Sequence, residues 1–312
     1  MGRAACRADN GGHGCGVIIL KIKGGGNMFF TKENVIGICG ETAEMFEKYS
    51  RNYDKLKGIL DLGNAKAVWC KEWAEPFNPD YISEIDDCTM PVRKILKGVP
   101  KKKNGCTEHY YKDGEPMHSE SMYSEPIYSA YWGEGEEPVC EKFYVHAEGR
   151  RTGLVYLREN KRLIEVWTEE LNTEGNVEAV YIGRLLPYTK RGRNEYPENM
   201  PLDMEIRGRK YYYENNIITR AEAFGGYNSG KAFMWYDDRQ YEGVGNILPM
   251  DCPPMNPQSL CEYRFNYSGG GFPETFTRRN YFYCKTSENT YKFKGSAAKR
   301  FEECGIGVFK IK

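Results

Sequence analysis

Past Cys106 the chain breaks into short runs rich in Tyr, Val, Ile, Phe and Thr, at residues 155–157, 163–167, 177–181, 281–283 and 291–293. Gly, Asn, Asp and Pro punctuate them every ~8–12 residues. Alternating side chains point to opposite faces of a strand, so a two-residue period bounded by turn formers predicts antiparallel strands joined by tight turns. Residues 106–312 are therefore expected to form an antiparallel β-rich domain.

Residues 28–100 carry a different period. Between Thr42 and Leu62 the apolar positions are Met45, Phe46, Tyr49, Tyr53, Leu56, Ile59, Leu60 and Leu62. Steps of three and four put them on one helix face. Thr42 is the expected cap, Glu44 and Glu47 suit the positive end of the helix, and Gly63 suits its stop. Ala65–Trp73 reads as a short helix ending before Pro76, Asn78-Pro79 opens another through Ile85, and Pro91–Leu96 offers one more. Trp69, Trp73 and Phe77 read as anchors of these helices. Lys101-Lys102-Lys103-Asn104-Gly105 has the composition of an exposed linker or hairpin tip and marks the boundary. The fold class expected is α+β: a small N-terminal helical part, then an antiparallel β-repeat domain.

Residues 1–27 fit neither part. They hold eight Gly and one apolar run, Val17–Leu20, too short for a signal-peptide core of ~7–15 residues. The string Lys23-Gly24-Gly25-Gly26-Asn27-Met28 can be encoded with AGGAGG just ahead of an ATG, which is a bacterial ribosome-binding site. The expectation is that native translation starts at Met28 and that 1–27 is a disordered leader. Nine of the 11 cysteines then remain, scattered and odd in number. That pattern predicts reduced, buried thiols in a bacterial cytoplasm rather than a disulfide framework.

Charge and composition narrow the function classes. Lys+Arg and Asp+Glu are both 44, so the net charge is zero and a general nucleic-acid binder is not expected. With 14 % aromatics, a disordered chain is excluded. No run approaches the ~18–20 apolar residues of a membrane helix, so no membrane role is expected.

Several stretches resemble one another. Those beginning at Tyr111, Tyr156, Tyr213 and Tyr263 each join an aromatic strand end to a polar turn and a returning strand. Asp113-Gly114 and Asn215-Asn216 supply turn residues that accept positive φ. The segment Tyr211–Arg220, followed by Trp235-Tyr236-Asp237-Asp238, resembles the tyrosine–aspartate hairpin repeats of Rhs-type bacterial β-repeat proteins. The resemblance spans Tyr111 to Asp238. The regular Gly after each Tyr-Asp is absent and the repeat intervals are unequal. What the resemblance implies is a curved antiparallel sheet rather than a closed shell, with no assigned chemistry.

Candidate sites are few. Cys140 and His146 could serve as nucleophile and base, and Cys106 lies three positions before His109, but only the fold can make such pairs. Cys106, His109 and Cys88 would leave a zinc site short of ligands. No phosphate-cradling glycine loop opens a helix. Asp237-Asp238 and Glu169-Glu170 are carboxylate doublets whose neighbours point to opposite faces of a strand. Arg184, Lys190, Arg191, Arg193, Arg207, Arg209 and Lys210 form a basic stretch, offset by Glu195, Glu198, Asp203 and Glu205. Tyr211, Tyr212, Tyr213, Trp235 and Tyr236 form an aromatic row suited to protein or sugar binding if exposed, and to core if covered. The expected function is non-catalytic binding of another protein, as an immunity or accessory factor of a bacterial toxin or phage-defence system, without metal or cofactor. The alternatives are a hydrolase-type enzyme using Cys140/His146 or Asp237/Asp238, and a carbohydrate-binding module.

Overall fold

The computed structural model describes residues 28–63, 65–71, 81–82, 85, 96–111, 126–185, 189–190, 193–194, 204–228, 233–235, 260–281, 286–303 and 306–311. Most of them belong to one antiparallel sheet. Its strands are β1 (Lys66–Lys71), β2 (Cys106–Tyr111), β3 (Pro126–Trp132), β4 (Pro138–Ala147), β5 (Arg150–Leu157), β6 (Arg162–Leu171), β7 (Val177–Leu185), β10 (Met204–Glu214), β11 (Ile217–Asn228), β12 (Phe233–Trp235), β13 (Leu260–Tyr267), β14 (Pro273–Tyr281) and β15 (Thr286–Lys292). They lie side by side almost in chain order, β1 to β7, then β10, β11, β13, β14 and β15. β12 and β13 take successive stretches of the same edge of β11. Thr189–Lys190 (β8) and Arg193–Asn194 (β9) form a separate two-stranded ribbon.

Such a meander follows from the local turn chemistry. Asn215 and Asn216 join β10 to β11 with φ of 51° and 64°. Two successive left-handed residues give the turn whose twist matches that of the flanking strands, and Asn tolerates that region better than most residues. Lys161, at φ 56°, turns β5 into β6 in the same half of φ space.

Both faces of the sheet are covered. On one, Phe30 and the helices α1 (Lys32–Tyr49) and α2 (Tyr53–Ile59), through Ile38, Phe46 and Tyr53, pack against Phe143, Leu154, Tyr156 and Phe224. On the other, the buried helical residues Tyr81, Ile82 and Ile85, α3 (Ala297–Glu303) and a 3-10 turn at Gly307–Phe309 cover Val180, Tyr211, Tyr263 and Phe276. Arg151–Tyr156 of β5 is buried throughout instead of alternating: Leu154 and Tyr156 lie under the helices, while on the other face Arg151 pairs with Glu169 and the Lys142 chain lies over Gly153.

The structure is therefore mostly antiparallel β, with few helices among the described residues. Three N-terminal expectations need correction. The single helix expected over Thr42–Leu62 is broken at residues 50–52 into α1 and α2, the second ending at Ile59 and not at Gly63. The first helix starts at Thr31, whose hydroxyl accepts from Asn34 N, and not at Thr42. Thr42 lies buried within α1 and donates to Ile38 O at 2.7 Å. The apolar stripe simply continues upstream through Val35, Ile38 and Cys39. Residues 66–71 of the expected Ala65–Trp73 helix are strand β1, paired with β2 so that Trp69 stands opposite Glu108. A short apolar run fits either period, and the free edge of β2 decided it. Of the stretch Pro91–Leu96 only Leu96 is described, and it donates to Trp69 O at 2.7 Å. Residues 1–27 and the Asp113-Gly114 turn lie outside the described residues. No described helix is long and apolar enough to cross a membrane.

Candidate functional site

Cys140 and His146 stand six positions apart on β4. At ~3.3 Å per residue their backbones are separated by ~20 Å, so the expected nucleophile–base pair does not form. The Cys140 thiol is buried, and burial, aided by the Glu165 carboxylate, pushes its pKa up to about 11. His146 lies at the exposed end of the strand, opposite Arg151. Cys106 and His109 are separated by the alternation of β2. Cys106 sits across from Trp132, whereas His109 faces Ser129, Nδ1 lying 2.9 Å from its Oγ.

The aromatic row is split in the same way. Tyr211 is 1 % exposed and meets Tyr81 edge-on at 4.7 Å. It is core and offers no ring to a partner. Tyr213 packs against the same core and donates its hydroxyl to Val177 O. Tyr212 points to the other face, with its hydroxyl on Glu222 Oε1 at 2.7 Å and the Arg220 guanidinium 3.8 Å over its ring. Trp235 closes β12 opposite Gly226. Tyr236, Asp237 and Asp238 lie outside the described residues. Glu169 is paired with Arg151 at 2.7 Å, both buried, while Glu170 on the opposite face meets Arg150 at 3.3 Å. Arg184, Arg207 and Lys210 of the basic stretch pair with Glu165, Glu205 and Glu178.

The register assembles polar groups that sequence spacing did not suggest. His109, Ser129 and Lys142 occupy facing positions on β2, β3 and β4, all at most 2 % exposed. The Lys142 ammonium lies 3.9 Å over the Trp167 ring and 4.8 Å over that of Tyr144. Gly153 makes room for it, since a Cβ there would fall 2.6 Å from Lys142 Cε. Trp167 in turn donates to Glu165, which also binds Arg184. A serine beside an imidazole is a nucleophile–base arrangement in principle. Here both are sealed from solvent. The recess of about 510 Å³ at the rim of β4 and β5, lined by Tyr53, Val139, Leu157 and Arg158 among others, touches none of the row.

Two buried acidic centres lie on the helix-bearing face. Glu141 accepts from Tyr53 and Tyr128 and, at 2.6 Å, from Lys57. Burial pushes its pKa up, but the Lys57 ammonium and the two phenols outweigh that and hold it below the ordinary carboxylate value. Glu222 and Glu262 face each other across β11 and β13. Arg220 bridges them at 3.1 and 3.5 Å, and the Phe29 N–H donates to Glu222 at 2.8 Å. Charged residues in strands flanked by Ala221, Ala223, Cys261 and Tyr263 were the available signal for this pair.

A third arrangement sits at the β1–β3 end of that face. The rings of Trp69 and Trp132 are 6.1 Å apart and inclined by 36°. Lys103 places its ammonium 3.8 Å from the Trp132 ring centre and 5.4 Å from that of Trp69. Glu108 accepts from Tyr110 Oη at 2.7 Å and from Trp132 Nε1 at 3.3 Å. No cluster of three or more His, Cys, Asp or Glu able to hold a metal ion occurs among the described residues. Compared with known proteins, the chain matches no protein-family model, no curated protein and no solved structure.

Proposed function

We propose that this protein is a non-catalytic scaffold that binds another protein inside a bacterial cell, as an immunity or accessory factor of a toxin or phage-defence system. The observation that carries the non-catalytic part is the state of its reactive groups. Burial pushes the Cys39 and Cys140 thiols up to about 12 and about 11, so both rest as neutral thiols at pH 7. Most of the described carboxylates within the sheet are tied to arginine, lysine or tyrosine. Binding needs a rigid surface, which a long sheet packed on two cores supplies. The bacterial setting and the system named rest on the hairpin resemblance. The sugar-binding alternative is weakened because Tyr211 and Tyr213 are turned into the core.

The test is purification of the tagged protein from its host together with the products of neighbouring genes. The expected result is a saturable complex of fixed stoichiometry that re-forms from the two purified components. Turnover of an ester, peptide or glycoside that is lost in Cys140→Ser, or in Asp237→Asn with Asp238→Asn, would overturn the reading in favour of the hydrolase.

A further inference from the structure

We propose that Trp69 and Trp132, backed by Glu108, leave a recess that binds a methylated ammonium group once the Lys103 side chain, which fills that place in the free protein, swings out. The recess presents the chemistry of an organic-cation site: two indole rings at its wall and a carboxylate behind one of them. Glu108 holds the N–H edge of Trp132, so its negative charge adds to the electron-rich face that meets the cation. Its hydrogen bonds come from two neutral donors, and no cation pairs with it among the described residues. Once Lys103 withdraws, the site keeps a half-buried carboxylate whose charge an incoming cation would complement.

Lys103 matches the charge of this site but not its hydrogen bonding. A primary ammonium carries three N–H donors. The Lys103 ammonium meets the two indole rings, and no described side chain or carbonyl accepts from it. A methylated ammonium carries the same charge with its donors replaced by methyl groups, and so loses nothing where acceptors are missing. The Nε1–H of Trp69 is also buried without an acceptor among the described residues.

Lys103 is placed to yield. It belongs to the turn ahead of β2, where Lys101 and Lys102 are exposed. The turn is tied down by its backbone, through Gly105 N to Trp132 O at 2.7 Å and Cys106 N to Lys103 O at 2.9 Å. Rotation of the Lys103 side chain out of the recess breaks neither bond and no strand pairing. A ligand must displace this internal occupant, so its apparent affinity is reduced by the fraction of molecules in which the recess is closed.

The inference does not depend on the protein-binding reading above and is tested separately. The full chain is labelled with 15N at its tryptophan indoles, and the Trp132 signal is assigned with Trp132→Phe. Tetramethylammonium chloride is titrated in, with sodium and ammonium chloride as controls. The expected result is a saturable shift of the Trp69 and Trp132 indole signals with tetramethylammonium alone. Lys103→Ala should tighten binding about tenfold, and Glu108→Gln should weaken it several-fold with the fold intact by circular dichroism. A trimethyl-lysine peptide that binds more tightly than tetramethylammonium assigns the site to a methylated side chain. Equal or weaker binding assigns it to a free small cation. The proposal is overturned if Lys103→Ala binds no more tightly than the parent, if neither protein gives a saturable shift, or if ammonium produces the same shift.

Discussion

Gly208 on β10 lies directly opposite Phe224 on β11, and the ring of Phe224 folds across it. A Cβ at Gly208 would come within 2.6 Å of Phe224 Cδ1 and 2.9 Å of Cζ. The ring is 1 % exposed and packs on Phe30 at 4.5 Å, so it has no free volume to move into. Gly208→Ala should therefore cost ~1–3 kcal/mol, the usual price of overpacking a core. Gly225→Ala is the control, because the nearest atom to its Cβ is Arg207 Cγ at 4.0 Å. Its effect should stay within ~0.5 kcal/mol. Urea denaturation of the pair tests this, and equal losses would show that the Phe224 ring is free to swing away. The thiols give a second residue-scale prediction. Cys39 and Cys140, neutral and buried, should escape alkylation by iodoacetamide at pH 8 in the folded protein and react fully once urea is added. Peptide mass spectrometry reads the outcome, and rapid labelling of native Cys140 would show an activated, accessible thiol there.

At the scale of elements, α2 is held to the sheet by charge as well as by apolar contact. Tyr53 and Lys57, one turn apart on that helix, both reach Glu141 on β4. Glu141→Gln leaves the shape and removes the charge, and should cost ~1–3 kcal/mol at pH 7. The carboxyl has a lower pKa folded than unfolded, so its contribution is fully present above the unfolded value of ~4.3 and is lost as pH falls through the folded value. The stability gap between parent and Glu141→Gln should therefore be flat near neutrality and shrink below about pH 4. A gap that widens on acidification would reverse the sign of the shift. The same elements show what was legible from the chain alone. Strands β5, β6 and β7 and the β10–β11 hairpin were readable because alternation and turn residues are local properties. The run 66–71 was not, because its pairing partner at 106–111 lies beyond a long intervening stretch. Alternation also separates Tyr212 from Tyr211 and Tyr213. It does not say which side is core, and the covering residues Tyr81 and Phe309 are far away in sequence. The Trp69–Trp132 pair was hidden for the same reason, since β2 alone brings the two indoles together.

At the scale of the whole molecule, two cores share one sheet but cover different parts of it. The N-terminal helices pack over β4 to β7 and extend to β10 and β11, while the C-terminal cap covers the opposite face towards β13 and β14. Phe309 is central to that cap, fully buried, stacked on Phe301 at 4.8 Å and within 5.2 Å of Phe265. Phe309→Ala should cost ~3–5 kcal/mol by loss of burial and creation of a cavity. In a chain whose described parts formed two independent units, that loss would leave β4 and β5 untouched. Here β10 and β11 belong to both cores, with Tyr211 facing the C-terminal cap and Ile206 and Phe224 facing the helices. The sheet also continues hydrogen-bonded from β7 into β10. Hydrogen exchange of Phe309→Ala should therefore show the largest loss of protection in β13 to β15 and a smaller one in β10 and β11. In β4 and β5, which contribute no residue to the C-terminal core, amides should be exposed only by global unfolding. Heat should still unfold the variant in a single transition at a lower temperature. Two separate transitions, with β4 and β5 keeping the parent's midpoint, would mean that the shared strands do not couple the cores.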